Sequence, residues 1–390
     1  MALRFKSIRL KNWRNFKDVK VEMGQRAFLV GPNAAGKSNF LDAVRFLGDL
    51  VRVGGGLQYA VGEREGVDKI RSLYATSNNR IQIEVCLVCA SEGRKKGAEW
   101  SYFLEFTKDK QTKQPLITKE RVSRDNQPPL LDRPKKEDEE DKQRLTQTHL
   151  EQVNANREFR AVADFFNSVR YLHLVPQLVR ETDRYVRSET DPYGGDFLEQ
   201  VARMSEKERK LRLKLINNVL KKAVPHFKKL AFERDTVKGR PHIKALYEHW
   251  RPQGNWQNEK QFSDGTLRMI GLMWAVLNGD GPLLLEEPEL SLHSEVIRRI
   301  PQLLYILTRE TQRQIIVSTH SSELLADKGI GAEEVFLFSP TDKKGTQVEP
   351  ASNDKQIKSL LERGALIGDV VMPRTAPKNV NQLSLPFADS

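Results

Sequence analysis

Polar and apolar residues alternate over 3–10 and again over 19–23, the period-two pattern of half-buried strands, and 27–30 is apolar without a break. After Lys37 the period lengthens, and the apolar residues of 39–47 recur at helical spacing. Residues 80–122 return to alternation, as at Trp100, Tyr102, Leu104 and Phe106, which predicts antiparallel strands. Between 125 and 147 the chain turns Pro-rich and charged, most densely over 133–142, predicting a solvated loop or mobile insertion outside the core. A helix is expected from about 145 to 166 and a strand over 169–175. Ser205 with Glu208 makes a capping box. Leu211, Leu215, Val219 and Ala223 then line one face of an amphipathic helix, with Arg209, Lys210, Arg212, Lys214, Lys221 and Lys222 largely off it. From 262 onward the order is helix, strand (282–286), helix (294–309), strand (314–318), helix, strand (334–338), as in a largely parallel sheet covered by helices.

These elements predict an α/β fold with a mixed parallel sheet, an antiparallel β subdomain and a helical lobe. The expected division is 1–124, an N-terminal half with a glycine loop and antiparallel strands; 125–250, a charged insertion and basic helical segment; 251–370, the C-terminal half; and 371–390, a flexible tail. No apolar run approaches the ~18 residues of a membrane span, and the alternating N-terminus is unlike a signal peptide. Two cysteines in 390 residues argue against a disulfide scaffold and for a reducing cytoplasm. Cys86 and Cys89, three apart in a strand, face opposite ways and are expected to be buried strand residues, not a metal or redox pair.

Charge adds a partner to this picture. The chain carries 64 Lys and Arg against 52 Asp and Glu, a net +12. Residues 203–244 alone hold fourteen basic and four acidic side chains. Such a stripe is either a solvated helix surface or a polyanion site; the concentration favours nucleic acid, with DNA the expected partner.

The candidate chemistry sits in two places. Gly31, Pro32, Asn33, Ala34, Ala35, Gly36, Lys37, Ser38 and Asn39 lie between a strand and a helix, the context a phosphate loop requires. The glycines let backbone N–H groups turn toward phosphates, Lys37 would reach the β- and γ-phosphates, and Ser38 would hold Mg²⁺. Far downstream, an apolar strand ends in Glu286 and Glu287, and Pro288 stops it. Glu286 would face the metal and Glu287 would polarise the attacking water. The expected substrate is ATP and the expected cofactor Mg²⁺.

The ordered motifs resemble the ATP-binding-cassette (ABC) ATPases of the SMC/RecF group, and within it the OLD (overcoming lysogenization defect) type of phage-defence ATPase. Residues 10–16 are similar to the group's N-terminal motif and would place Arg14 at the nucleotide. Ser263, Asp264, Gly265 and Thr266 resemble the signature motif, 287–293 the linked carboxylate and D-loop, and His320 the switch histidine. Gln177 resembles a Q-loop glutamine, a further metal ligand. The resemblance implies an ABC-ATPase head that sandwiches ATP between two chains, the signature of each capping the other's γ-phosphate, with higher oligomers open. Asp264 in place of a glycine points away from transporters. Glu286, where aspartate is usual, implies a looser metal contact and slow hydrolysis. No sustained heptads allow a long coiled coil, and the stretch after Phe338 is too short for a Toprim nuclease, so a separate effector nuclease is the expected partner. Alternatives are a RecF-like repair or replication ATPase and a non-turnover, ATP-gated scaffold. Near the C-terminus, Gln382, Leu385 and Phe387 resemble a sliding-clamp binding peptide; a disordered or folded-back tail is the other reading.

Overall fold

The strand alternation extends further than the pattern suggested: β1 (Leu3–Trp13) pairs antiparallel with β2 (Phe16–Glu22), and β3 (Arg26–Val30) is buried along its whole length. The computed structural model describes residues 3–75, 79–89, 98–125, 127–181, 191–236, 239–248 and 255–376. Helix α1 (Lys37–Val51) follows, burying Phe40, Leu41, Val44 and Leu47, with short α2 (Leu57–Gly62) and α3 (Val67–Ile70) behind it. Three long antiparallel strands come next: β4 (Ile81–Cys89), β5 (Trp100–Lys108) and β6 (Pro115–Arg124). Cys86 and Cys89 are half-buried rather than buried: Cys86 lies on the less covered face of β4, and Cys89, on the covered face, is the last residue of the strand. The Cys86 thiol donates to Glu99 Oε1 at 3.1 Å, and burial with that carboxylate pushes its pKa up to about 12, so it is inert.

The charged stretch is solvent-facing over most of its length, as its composition predicts, but it is ordered and two of its charges are buried. It forms β7 (Leu131–Arg133), which pairs with β6, and α4 (Lys136–Glu140). Arg133 is fully buried, with Asp138 at 2.8 Å, Glu120 at 3.2 Å and the carbonyls of Gln147 and Arg144 accepting at 3.0 and 2.8 Å. A charge is tolerated inside when every donor finds a partner, and here each does. The expected long helix shrinks to α5 (Arg160–Ser168), and the following strand to β8 (Arg170–Leu172).

A helical lobe comes next: α6 (Pro176–Arg180), α7 (Phe197–Arg203) and α8 (Glu206–Ala223), then a separate antiparallel sheet of β9 (Phe227–Arg234), β10 (Pro241–Tyr247) and β11 (Asn255–Asn258). The lobe closes with α9 (Asp264–Leu277). The chain then returns to the main sheet through β12 (Leu283–Glu286), α10 (Ser294–Ile297), α11 (Ile300–Thr311), β13 (Ile315–Thr319), β14 (Val335–Thr341) and β15 (Gly345–Pro350). Turns, not the expected helix, link β13 to a single 3₁₀ turn before β14. Two short helices, α12 (Lys355–Glu362) and α13 (Ile367–Val371), and a 3₁₀ turn (Met372–Thr375) complete the described chain.

All but three strands join one twelve-stranded sheet, in the order β7-β6-β5-β4-β1-β2-β15-β14-β3-β13-β12-β8. From β14 through β3, β13 and β12 to β8 the pairing is parallel; the remainder is antiparallel. The fold is therefore a mixed α/β sheet with helices and a helical lobe, as the elements predict. One core packs α1 and α5 against the antiparallel half, and a second packs α7 to α9 against the other face of the parallel strands. The buried amide of Gln314 joins the two halves, donating to Phe5 O at 2.8 Å and Gly24 O at 2.7 Å and accepting from Phe5 N at 2.9 Å. Among the described residues no helix is long and apolar enough to cross a membrane.

Candidate functional site

Parallel strands deliver their C-terminal ends to one edge, and ligands of such sheets bind there. At that edge β3 runs through the glycine loop into α1. Gly36 has φ +98°, and a Cβ at that position would lie 2.0 Å from Asn15 Nδ2, so the close approach admits only glycine. Asn15 holds the loop: its Nδ2 donates to Ala35 O at 2.9 Å and its Oδ1 accepts from Asn39 Nδ2 at 2.9 Å. Thr346 Oγ1 donates to the same Ala35 carbonyl at 2.8 Å. The first turn of α1 carries no side-chain cap and no acid, which leaves its N–H donors and positive end for an anion. Lys37 is buried, donates to Gly31 O and Pro32 O at 3.0 and 3.1 Å, and burial lowers its pKa to about 8 against the pull of Glu287, Glu286 and Glu289. Asn33, Ala34 and Ser38 are exposed at the mouth, Pro32 half-exposed, and Gly31 and Ala35 buried.

The acids arrive from β12 and the turn after it. Ser38 Oγ donates to Glu286 Oε1 at 2.5 Å, across 248 residues of sequence. The donors are all oxygen, a set that suits Mg²⁺ completed by phosphate oxygens and water. No group of three or more His, Cys, Asp or Glu among the described residues could hold a metal unaided, so this pair would share the ion with a nucleotide. Glu287 turns away at φ +45°, its N–H donating to Ser318 O at 3.0 Å. Its Oε1 lies 3.4 Å from His320 Nε2. Burial, then the Lys37 charge, lowers the His320 pKa and leaves a neutral imidazole beside that carboxylate. Glu289, which sequence reasoning left without a role, is the buried brace. Its Oε1 accepts from Thr319 Oγ1 at 2.6 Å and His320 N at 3.1 Å, while Oε2 has no partner and burial raises its pKa.

The other expected residues divide. Arg14 pairs with Asp42 at 3.0 Å on α1, so its guanidinium is committed to the helix that carries the loop. Gln177 is exposed on α6, and no hydrogen bond among the described residues joins it to Ser38 or Glu286. Ser263 caps α9, accepting from Thr266 N at 3.2 Å, and is exposed; Thr266 is buried beneath it. Asp264 is held by Arg180 of α6 at 2.6 Å. A Cβ on Gly265 would lie 2.6 Å from Ser291 O, so glycine lets the signature touch the turn after Glu287. Among the described residues no hydrogen bond or ion pair joins 263–266 to the glycine loop of the same chain.

The basic helix differs from its expected form. Ser205 caps α8, but the buried stripe is Leu213, Ile216 and Leu220, while Leu211 and Leu215 are 59% and 44% exposed. Arg209 lies 4.2 Å over the Phe232 ring and donates to Ala202 O and Met204 O. Arg212 bonds Asn278 Oδ1 at 2.9 Å and Glu208 at 2.6 Å, and Lys210 pairs with Glu206 at 2.5 Å. Lys214, Lys221 and Lys222 are exposed, without an ion pair among the described residues. Gln382, Leu385 and Phe387 lie outside the described residues. A cavity of about 150 Å³ opens not at the loop but beyond edge strand β8, between α1 and α9, lined by Tyr171, Asp196 and Trp274 among others.

Comparisons with known proteins agree with this architecture. Part of the chain is similar to the chromosome partition protein Smc of Methanocaldococcus jannaschii, 27% identical over 124 residues, which is 30% of this chain and 11% of that protein. The fold is similar to a solved SMC head bound to the C-winged helix domain of ScpA: TM-score 0.53, 13% identity, covering 88% of this chain and 96% of that one. It is likewise similar to a Pyrococcus furiosus SMC head with an extended coiled coil bound to the C-terminal domain of ScpA: TM-score 0.53, 11% identity, covering 93% and 100%. At these identities the likeness speaks for the fold, an SMC-head-like arrangement of sheet and helical lobe. A glycine loop, a strand-end acid pair and this head fold meet in one molecule, and the chain belongs to the family described as "AAA domain, putative AbiEii toxin, Type IV TA system", which matches residues 26–326.

Proposed function

We propose that this chain is an ABC-type ATPase that binds MgATP at the glycine loop, hydrolyses it, and couples the cycle to closure of two copies around the nucleotide. The observation that carries the reading is the 2.5 Å contact of Ser38 with Glu286, which brings loop and strand-end acid to one point. Backbone donors of 31–39 and Lys37 would hold the phosphates. Ser38 and Glu286 would hold Mg²⁺, with Gln177 the candidate third ligand. The bound ion would neutralise phosphate charge. Glu287 would take the proton of the attacking water. The neutral His320 at 3.4 Å would orient that carboxylate. The exposed Ser263, with Gly265 beside it, would cap the γ-phosphate of the second copy.

Lys214, Lys221 and Lys222, exposed and without an ion pair among the described residues, would contact DNA backbone. An OLD-like role in anti-phage defence, through a separate effector such as a nuclease, is the setting we favour; the toxin–antitoxin wording of the family description supports it. The test is Glu287→Gln. Turnover should fall by at least about a hundredfold, and ATP should drive a dimer visible by light scattering. A variant that hydrolyses at the wild-type rate and stays monomeric with ATP rejects the reading.

A further inference from the structure

Strand parity decides where Glu286 points. In the parallel pairing of β8 with β12, Tyr171 stands opposite Leu284, and Glu286 lies two residues beyond on the same face. That face is α1's: Leu284 belongs to the core that α1 builds, and Tyr171 packs against it. The carboxylate therefore meets two hydroxyls from opposite sides. Ser38 Oγ takes Oε1 at 2.5 Å, and the Tyr171 hydroxyl donates to Oε2. The Arg45 guanidinium lies 5.8 Å over the Tyr171 ring and helps fix it. A tyrosine phenol is protonated at neutral pH and donates to the carboxylate it faces.

We propose that Tyr171 is a positioning residue of the nucleotide site: by binding Oε2 it turns Oε1 toward Ser38 and the metal. The longer acid is then matched to its setting, because an aspartate, shorter by one ~1.5 Å bond, could not reach both hydroxyls. The inference rests on the reading of Ser38 and Glu286 as the Mg²⁺ pair. A hydrogen-bond donor behind a metal ligand typically sets affinity by 10–100-fold.

The experiment titrates MgCl₂ against binding of a fluorescent ATP analogue to full-length protein, for the wild type, Tyr171→Phe, Glu286→Asp and the double variant. Tyr171→Phe, which keeps the ring and its packing, should raise the Mg²⁺ concentration at half-saturation about tenfold and leave metal-free nucleotide binding unchanged. In the Glu286→Asp background the same change should do nothing further, since the contact is already gone. A wild-type Mg²⁺ response in Tyr171→Phe overturns the proposal, as does an equal effect in both backgrounds. Ser38→Ala separates the two readings. If it too leaves the Mg²⁺ response untouched, the metal assignment itself is wrong; if only Tyr171→Phe is silent, the tyrosine alone is exonerated.

Discussion

Lys37 is a buried amine whose charge is costly until an anion meets it. Its pKa of about 8 and its bonds to two carbonyls describe a donor with no carboxylate in contact. Lys37→Ala should abolish binding of the fluorescent ATP analogue while leaving the melting temperature without nucleotide unchanged or higher; retained affinity would remove the loop from the phosphates. The loop was legible because its residues are contiguous and each type has one physical reason to be there. Glu286 and Glu287 were legible as a strand end. Tyr171 was not, since nothing in residues 169–175 distinguishes a hydroxyl that reaches a carboxylate from one that faces water. Asn15 lay inside a motif already noted, yet its hold on Ala35 depends on Gly36 and Thr346 approaching it in space.

Helix α8 shows how an element can be named correctly and turned wrongly. Leu211, Leu215, Val219 and Ala223 repeat every four residues, and Leu213, Ile216 and Leu220 fit helical spacing equally well. Periodicity alone cannot choose between two stripes; the neighbouring β9 and α9 do, by covering the second. Ile216→Ala should cost about 2–5 kcal/mol in urea unfolding, and Leu211→Ala within about 0.5 kcal/mol. The basic residues divide by the same geometry. Replacing Lys214, Lys221 and Lys222 together by alanine should flatten the salt dependence of DNA binding by up to about three ion equivalents, with stability unchanged. An unaltered slope makes the helix a solvated surface.

At the scale of the molecule, the charged stretch after β6 is the instructive case. Composition reads it as solvent-facing, which holds for most of it, yet Arg133 gathers Glu120, Asp138 and the carbonyls of Gln147 and Arg144 into an interior network. His149 lies against this network, its pKa pushed down to about 4 by burial and by the Arg133 charge. The unfolded chain, with an ordinary histidine near 6.5, then binds more protons between pH 6.5 and 4. Stability should therefore be fully present above 6.5 and decline as pH falls through that window, this residue contributing on the order of 2 kcal/mol. His149→Gln should make the decline measurably shallower in denaturant titrations at pH 4.5 and 7; an identical slope assigns the loss to other groups.

The order of strand, glycine loop, helix, apolar strand and acid pair is local information, because the chemistry of phosphate binding and strand termination lies within a few residues. It was enough to specify the fold class and to bring forward the residues we propose for the nucleotide. Which face of α8 is covered, where 133–142 lies, and which oxygen of Glu286 meets Ser38 are set by groups tens to hundreds of residues apart. Only packing brings those groups within hydrogen-bonding distance, and a one-dimensional pattern carries no record of which of several compatible neighbours arrives.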